Sequence, residues 1–133
     1  MKDLVWDNTL SVQVSEIDED HRRLVELFNL LGHAVEEDAS PEYIDALLEE
    51  LITCTQWHFR HEERLMVQYA YEGLDEHRAE HDELVRSVKA LQEQRRQEGA
   101  GISTEDVEFL EYWLTGHILG LDMDLGAFLS EVM

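Results

Sequence analysis

Apolar residues recur at spacings of three and four along most of the chain. Leu24, Val25, Phe28, Leu31 and Val35 form one stripe, which predicts a helix over about residues 17–37. Ile44, Leu47, Leu48, Leu51, Leu65, Met66 and Tyr69 predict a second helix over about 41–69. Leu84, Val88 and Leu91 predict a third over about 74–98. Leu110, Trp113, Leu114, Leu121, Leu125 and Phe128 predict a fourth over about 103–130. The breaks carry helix punctuation. Ser40 precedes Pro41 as cap and first helical residue, Gly99-Ala100-Gly101 ends the third helix, and Ser103 or Thr104 opens the fourth. Residues 1–16 lack a helical period. Leu10, Val12 and Val14 alternate with polar residues there, as in an extended arm laid on the helices. No repeat or long linker interrupts residues 1–133. The expected fold is a single all-α domain, an up-down-up-down antiparallel four-helix bundle with an extended N-terminal arm.

Polar groups interrupt each stripe at core positions. His21 lies one helical step before Leu24 and Val25. His58 and Glu62 are four apart, as are His77 and His81, and that spacing stacks two side chains on one face. His117 and Asp122 are five apart, which on an ideal helix separates them by about 140°. Gly116 and Gly120 lie nearby, where a local widening into a π-bulge would close that gap. Burying such groups unpaired costs several kcal/mol each. A metal centre removes the difficulty.

Imidazoles and carboxylates without thiolate suit redox iron. Five imidazoles and two carboxylates are too many for one ion. If both carboxylates and one solvent oxygen bridge two metals, three His complete six ligands on one. Two His leave the other with five ligands and one open position. Two tetrahedral zinc ions need fewer ligands. The zincin pattern is absent, since His61-Glu62-Glu63-Arg64-Leu65 ends in Leu. The Glu-x-x-His of ferritin-like di-iron bundles is absent too.

Charge narrows the partners. The chain of 133 residues has 31 acidic and 10 basic residues, a net charge of −21. This disfavours nucleic acid and anionic membrane surfaces and predicts a monomer. No apolar run approaches the ~20 residues of a spanning helix. The start lacks a signal-peptide pattern, and the single Cys54 fits a reducing cytoplasm. Cys54 reads as a small buried hydrophobe and His33 as a surface residue. His61, beside Glu62, is a weaker candidate for supporting a ligand from behind.

These residues resemble those of the hemerythrins, specifically the single-domain bacterial hemerythrins. The likeness runs from Trp6 through Ile17-Asp18-Glu19-Asp20-His21 and His58-Phe59-Arg60-His61-Glu62-Glu63 to Leu65-Met66. It continues through His77-Arg78-Ala79-Glu80-His81 and Trp113-Leu114-Thr115-Gly116-His117-Ile118 and closes at Asp122. Asp20, Glu72 and Gly120 depart from residues frequent in the family.

The resemblance implies two iron ions bridged by oxide or hydroxide, with dioxygen as the ligand. His77, His81 and His117 would bind the filled iron, and His21 and His58 the open one. Glu62 and Asp122 would bridge. Leu24, Phe59, Trp113 and Ile118 would form the apolar oxygen pocket. The implied activity is reversible dioxygen binding for storage, delivery or sensing, not catalysis. The alternative is a di-iron enzyme acting on peroxide or nitric oxide, or an iron donor in stress repair. The resemblance leaves any electron-transfer or oxygen-using protein partner unspecified.

Overall fold

Three helices and one broken helix make up the bundle. The computed structural model describes residues 2–133. Helix α1 spans Ser15–Glu36, α2 Pro41–Gln68 and α3 Leu74–Glu98. The fourth rod consists of α4, Thr104–His117, a π segment over Ile118–Asp122, and α5, Met123–Val132. Helix α1 packs on α2 and α4, and α2 packs on α3. Short loops reverse the chain between successive rods, giving an antiparallel four-helix bundle. No strand occurs among the described residues, and no helix there is long and apolar enough to cross a membrane.

The helix ends follow local chemistry. The Ser40 hydroxyl accepts the Tyr43 N–H at 3.2 Å, and Pro41 fills the first turn where no donor is needed. Ser103 and Asp106 cap α4 reciprocally: Ser103 Oγ accepts the Asp106 N–H, and Asp106 Oδ2 accepts the Ser103 N–H at 2.9 Å. Arg95 of α3 grips the same carboxylate with Nε at 2.8 Å and Nη2 at 2.9 Å. Helix α3 ends on Gly99 in the left-handed region (φ 65°). Helix α2 ends instead on a left-handed alanine, Ala70 (φ 54°), while the Tyr71 N–H reaches back to Met66 O at 2.9 Å.

The core is layered. One apolar cluster includes Leu24, Phe28, Leu31, Leu48, Leu51, Val88, Leu110 and Leu114. A second includes Val12, Val14, Ile17, Leu65, Met66, Leu125 and Leu129. Along every rod the buried histidines, with Glu62 and Asp122, fall between the two. His21 separates Ile17 from Leu24, His58 and Glu62 separate Ile52 from Leu65, and His117 and Asp122 separate Leu114 from Leu125. On α3, His77 and His81 precede Val88 in the same way.

The arm closes one end. Val12 and Val14 bury into the second cluster. The Val12 N–H donates to Asp18 Oδ1 at 2.8 Å and Ser11 Oγ to Asp18 Oδ2 at 2.6 Å. Nearer the start, the Asn29 amide both accepts from and donates to the backbone of Leu4, each bond at 2.9 Å. Exposed His33 pairs with Asp3 and so ties down the arm. Cys54 departs from expectation: it is half-buried, because its turn of α2 borders an open groove.

Two substitutions test this packing. A Cβ on Gly126 would lie 2.2 Å from Val12 O, so the arm crosses α5 where only glycine fits. Gly126→Ala is expected to cost about 1–3 kcal/mol in urea unfolding. Ala70→Gly is expected to gain about 0.5–1 kcal/mol by relieving the left-handed alanine, read as a higher urea midpoint with unchanged slope.

Candidate metal centre

The polar layer is built by four rods from fixed spacings. Helix α2 stacks His58 on Glu62 and α3 stacks His77 on His81, each pair one turn apart. Helix α1 contributes His21. The five-residue gap between His117 and Asp122 coincides with the π segment. Its i→i+5 winding brings both side chains inward, with His117 Nε2 2.9 Å from Asp122 Oδ1. Gly120 carries the kink, at φ −96° and ψ −106°. It is exposed, and a Cβ there would meet nothing within 4 Å.

The two carboxylates divide the five imidazoles three to two. Glu62 Oε1 lies 2.9 Å from His81 Nε2, 3.5 Å from His77 Nε2 and 3.8 Å from His117 Nε2. Asp122 Oδ1 faces His77 at 2.8 Å and His117 at 2.9 Å. The opposite oxygens face the remaining pair. Glu62 Oε2 is 3.1 Å from His58 Nε2 and 3.7 Å from His21 Nε2, and Asp122 Oδ2 is 2.9 Å from His21 Nε2. Two ligand groups follow, Glu62-His77-His81-His117-Asp122 and His21-His58-Glu62-Asp122, sharing only the carboxylates.

The outward nitrogens have their own partners. Nδ1 of His58 donates to Asp20 at 2.8 Å, that of His81 to Glu63 at 2.9 Å, and that of His117 to Glu80 at 2.7 Å. Such bonds fix ring orientation and leave Nε2 free as a ligand. His61 shares the Asp20 oxygen at 2.5 Å and reaches Glu16 at 3.3 Å, so it supports His58 through Asp20. Phe59 stacks flat on His81, with centroids 3.8 Å apart. The sequence reading missed Glu63 and Glu80. Their only signal was position: each adjoins a ligand, and either would serve equally well as a solvated helix residue.

The residues present suit a pair of cations. Nine buried polar atoms among the described residues lack a hydrogen-bond partner, and all nine belong to His21, His58, Glu62, His77, His117 and Asp122. The N···O distances are short but the angles are not those of hydrogen bonds. Buried polar atoms are rarely left so. Divalent ions between the carboxylate oxygens and the Nε2 atoms would satisfy most of them.

Electrostatics point the same way. Burial favours the neutral acid at Glu62, but the charge of His58 and the close His117 and His21 imidazoles hold its pKa well below the ordinary value. Asp122 is also lowered: burial and the Glu62 charge oppose ionisation, and His117 and His21 outweigh them. Burial lowers the imidazole pKa values, yet the carboxylates reverse the shift. His58 rises to about 10, His77 to about 9 and His117 to about 12. The two buried carboxylates therefore favour positive charge among these rings.

Beside this layer lies a cavity of about 10 Å³, about the room one water-sized molecule needs. His21, His58 and His117 form its polar side. Leu24, Phe59, Trp113 and Ile118 line it, together with Thr55, Leu84 and Leu114. Both imidazoles of the two-histidine group thus border it.

Fold and site together define a class: an antiparallel four-helix bundle with a buried, carboxylate-bridged histidine centre suited to two metal ions. The family model for the hemerythrin HHE cation binding domain matches residues 12–129. The chain belongs to that family. It is 33% identical over 119 residues to a bacteriohemerythrin of Stenotrophomonas maltophilia, covering 90% of this chain and 76% of the relative. It is 32% identical over 118 residues to a myohemerythrin of Riftia pachyptila, covering 89% and 87%. A crystal structure of wild-type hemerythrin superposes with a TM-score of 0.88 at 27% identity, covering 96% of this chain and 98% of that one.

The shifted imidazoles give a pH prediction. A histidine pKa raised on folding adds stability that is complete below its unfolded value near 6.5 and fades as pH climbs through the folded value. The lowered carboxylates add stability that is lost on acidification through their folded values. Metal-free protein is therefore expected to melt highest near pH 5–6.5 and progressively lower toward pH 10. Metal-loaded protein is expected to hold its melting temperature to about pH 9. Cobalt(II) binding at pH 7 is expected to release protons from His58, His77 and His117, read by calorimetry in buffers of different ionisation enthalpy. Binding without proton release would refute this account.

Proposed function

We propose that the chain binds dioxygen reversibly at two iron ions, as a carrier, store or sensor rather than an enzyme. His77, His81 and His117 would hold one ion and His21 and His58 the other, with Glu62 and Asp122 serving both. The observation that carries this reading is the three-to-two division of imidazoles, with a cavity bordered by both imidazoles of the pair and by only one of the three. Iron held there would supply the reversible redox chemistry that dioxygen binding needs.

The chain's own residues favour release over turnover. Leu24, Phe59, Trp113 and Ile118 keep the cavity dry, so protons and water do not reach the bound ligand. The neighbouring donors are committed elsewhere. Thr55 Oγ1 donates to Leu51 O at 2.7 Å, and Trp113 Nε1 donates to Leu84 O at 2.9 Å. The three lining imidazoles are the only titratable groups on its wall. Peroxide or nitric oxide reduction needs a proton route that this wall does not provide.

The test is optical. Iron-loaded protein, reduced without air, is expected to gain a ligand-to-iron absorption band on exposure to air, lose it under argon, and regain it over repeated cycles. Prompt conversion to a stable ferric spectrum, with sustained consumption of added peroxide, would establish the enzymatic reading instead.

A further inference from the structure

Dioxygen has to cross the wall of the cavity, and only one lining residue stands at the surface. His21, Leu24, Thr55, His58, Phe59, Trp113, Leu114, His117 and Ile118 are all buried. Leu84 is partly exposed. It sits on α3, which packs closely on α2 and more loosely on α4. The Trp113 indole spans that looser seam to the Leu84 carbonyl, fixing the bulky ring beside the Leu84 side chain.

The main rival approach stops short of the cavity. An open groove between α1 and α2 descends to Asp20 past charged side chains such as Glu19, Arg23 and Glu50 and past Cys54 and Trp57. Its floor is closed where the Asp20 carboxylate bonds His58 and His61. None of the residues lining that groove lines the cavity. At the α3–α4 seam the barrier is the Trp113 ring, held by its bond to the Leu84 carbonyl, and the Leu84 side chain, which is free to change rotamer.

We propose that Leu84 is the gate through which dioxygen passes between solvent and the cavity. This rests on the function proposed above. Its side chain stands in the wall of the cavity at the surface, where its rotamer decides whether the path is open.

Stopped-flow measurements on iron-loaded Leu84→Ala and Leu84→Phe test the gate. Leu84→Ala is expected to raise both association and dissociation rate constants by up to about tenfold. Leu84→Phe is expected to lower both. A second readout needs no iron. In a Trp6→Phe, Trp57→Phe background Trp113 is the sole indole of the original three. Quenching of its fluorescence by dissolved oxygen is expected to strengthen in Leu84→Ala and weaken in Leu84→Phe. Unchanged rates and unchanged quenching in both variants would overturn the gate. A loaded protein with no reversible band overturns the carrier reading instead, and the quenching series then decides the gate alone.

Discussion

Two carboxylates buried side by side in an apolar bundle impose the constraint on which the rest of this structure depends. Glu62 and Asp122 are fully shielded from water, and neither faces a Lys or Arg. A buried anion is tolerated only with compensating positive charge and hydrogen bonds. Here the compensation comes from imidazoles on all four rods, each carboxylate oxygen meeting at least one. That requirement explains why every rod carries a polar interruption at the same height. It also explains why the apolar core splits into two clusters. Neither cluster can be slid along a helix without carrying a charge into hydrocarbon, so the layer sets the register of the bundle.

The supporting carboxylates are unevenly distributed. In the three-histidine group, Glu63 and Glu80 back His81 and His117 from partly exposed positions. In the two-histidine group, Asp20 alone backs His58, and it is more shielded and shared with His61. Hydrogen bonding to an anion makes an imidazole a better donor to a metal. His21 and His77 have no such partner on Nδ1. Each group therefore combines strengthened and unstrengthened imidazoles, and the shielded Asp20 keeps its influence where solvent would otherwise screen it.

Much of this was legible in the sequence because helical period is a direct consequence of burial. A stripe at three-and-four spacing has one reading, and a His or Glu placed on it is conspicuous. The π segment was legible as a problem of spacing, since His117 and Asp122 cannot share a face of an ideal helix. Its placement over Ile118–Asp122, and the way it divides the expected fourth helix, came only from the structure. Asp20, Glu63 and Glu80 were harder to read. Surface carboxylates are abundant in a chain with 31 acidic residues, and helical position does not say which of them reaches back to a ring. Cys54 was read as core because its neighbours are helical and apolar. Its half-exposure follows from the groove beside α2, which no stripe reveals.

The arrangement also explains how one protein can stabilise charge and exclude water within a few ångströms. The metal layer needs concentrated polarity, whereas a ligand that must leave unchanged needs a dry wall. The bundle separates the two by face. The Nε2 atoms and carboxylates point toward the centre of the layer, while the ring edges of His21, His58 and His117 turn toward Leu24, Phe59, Trp113 and Ile118. The remaining donors, the Thr55 hydroxyl and the Trp113 indole, are each bound to a backbone carbonyl. Such bonds hold a polar side chain at an apolar surface without leaving a proton available to the cavity. Dryness here is a consequence of hydrogen bonds completed elsewhere as much as of hydrophobic side chains.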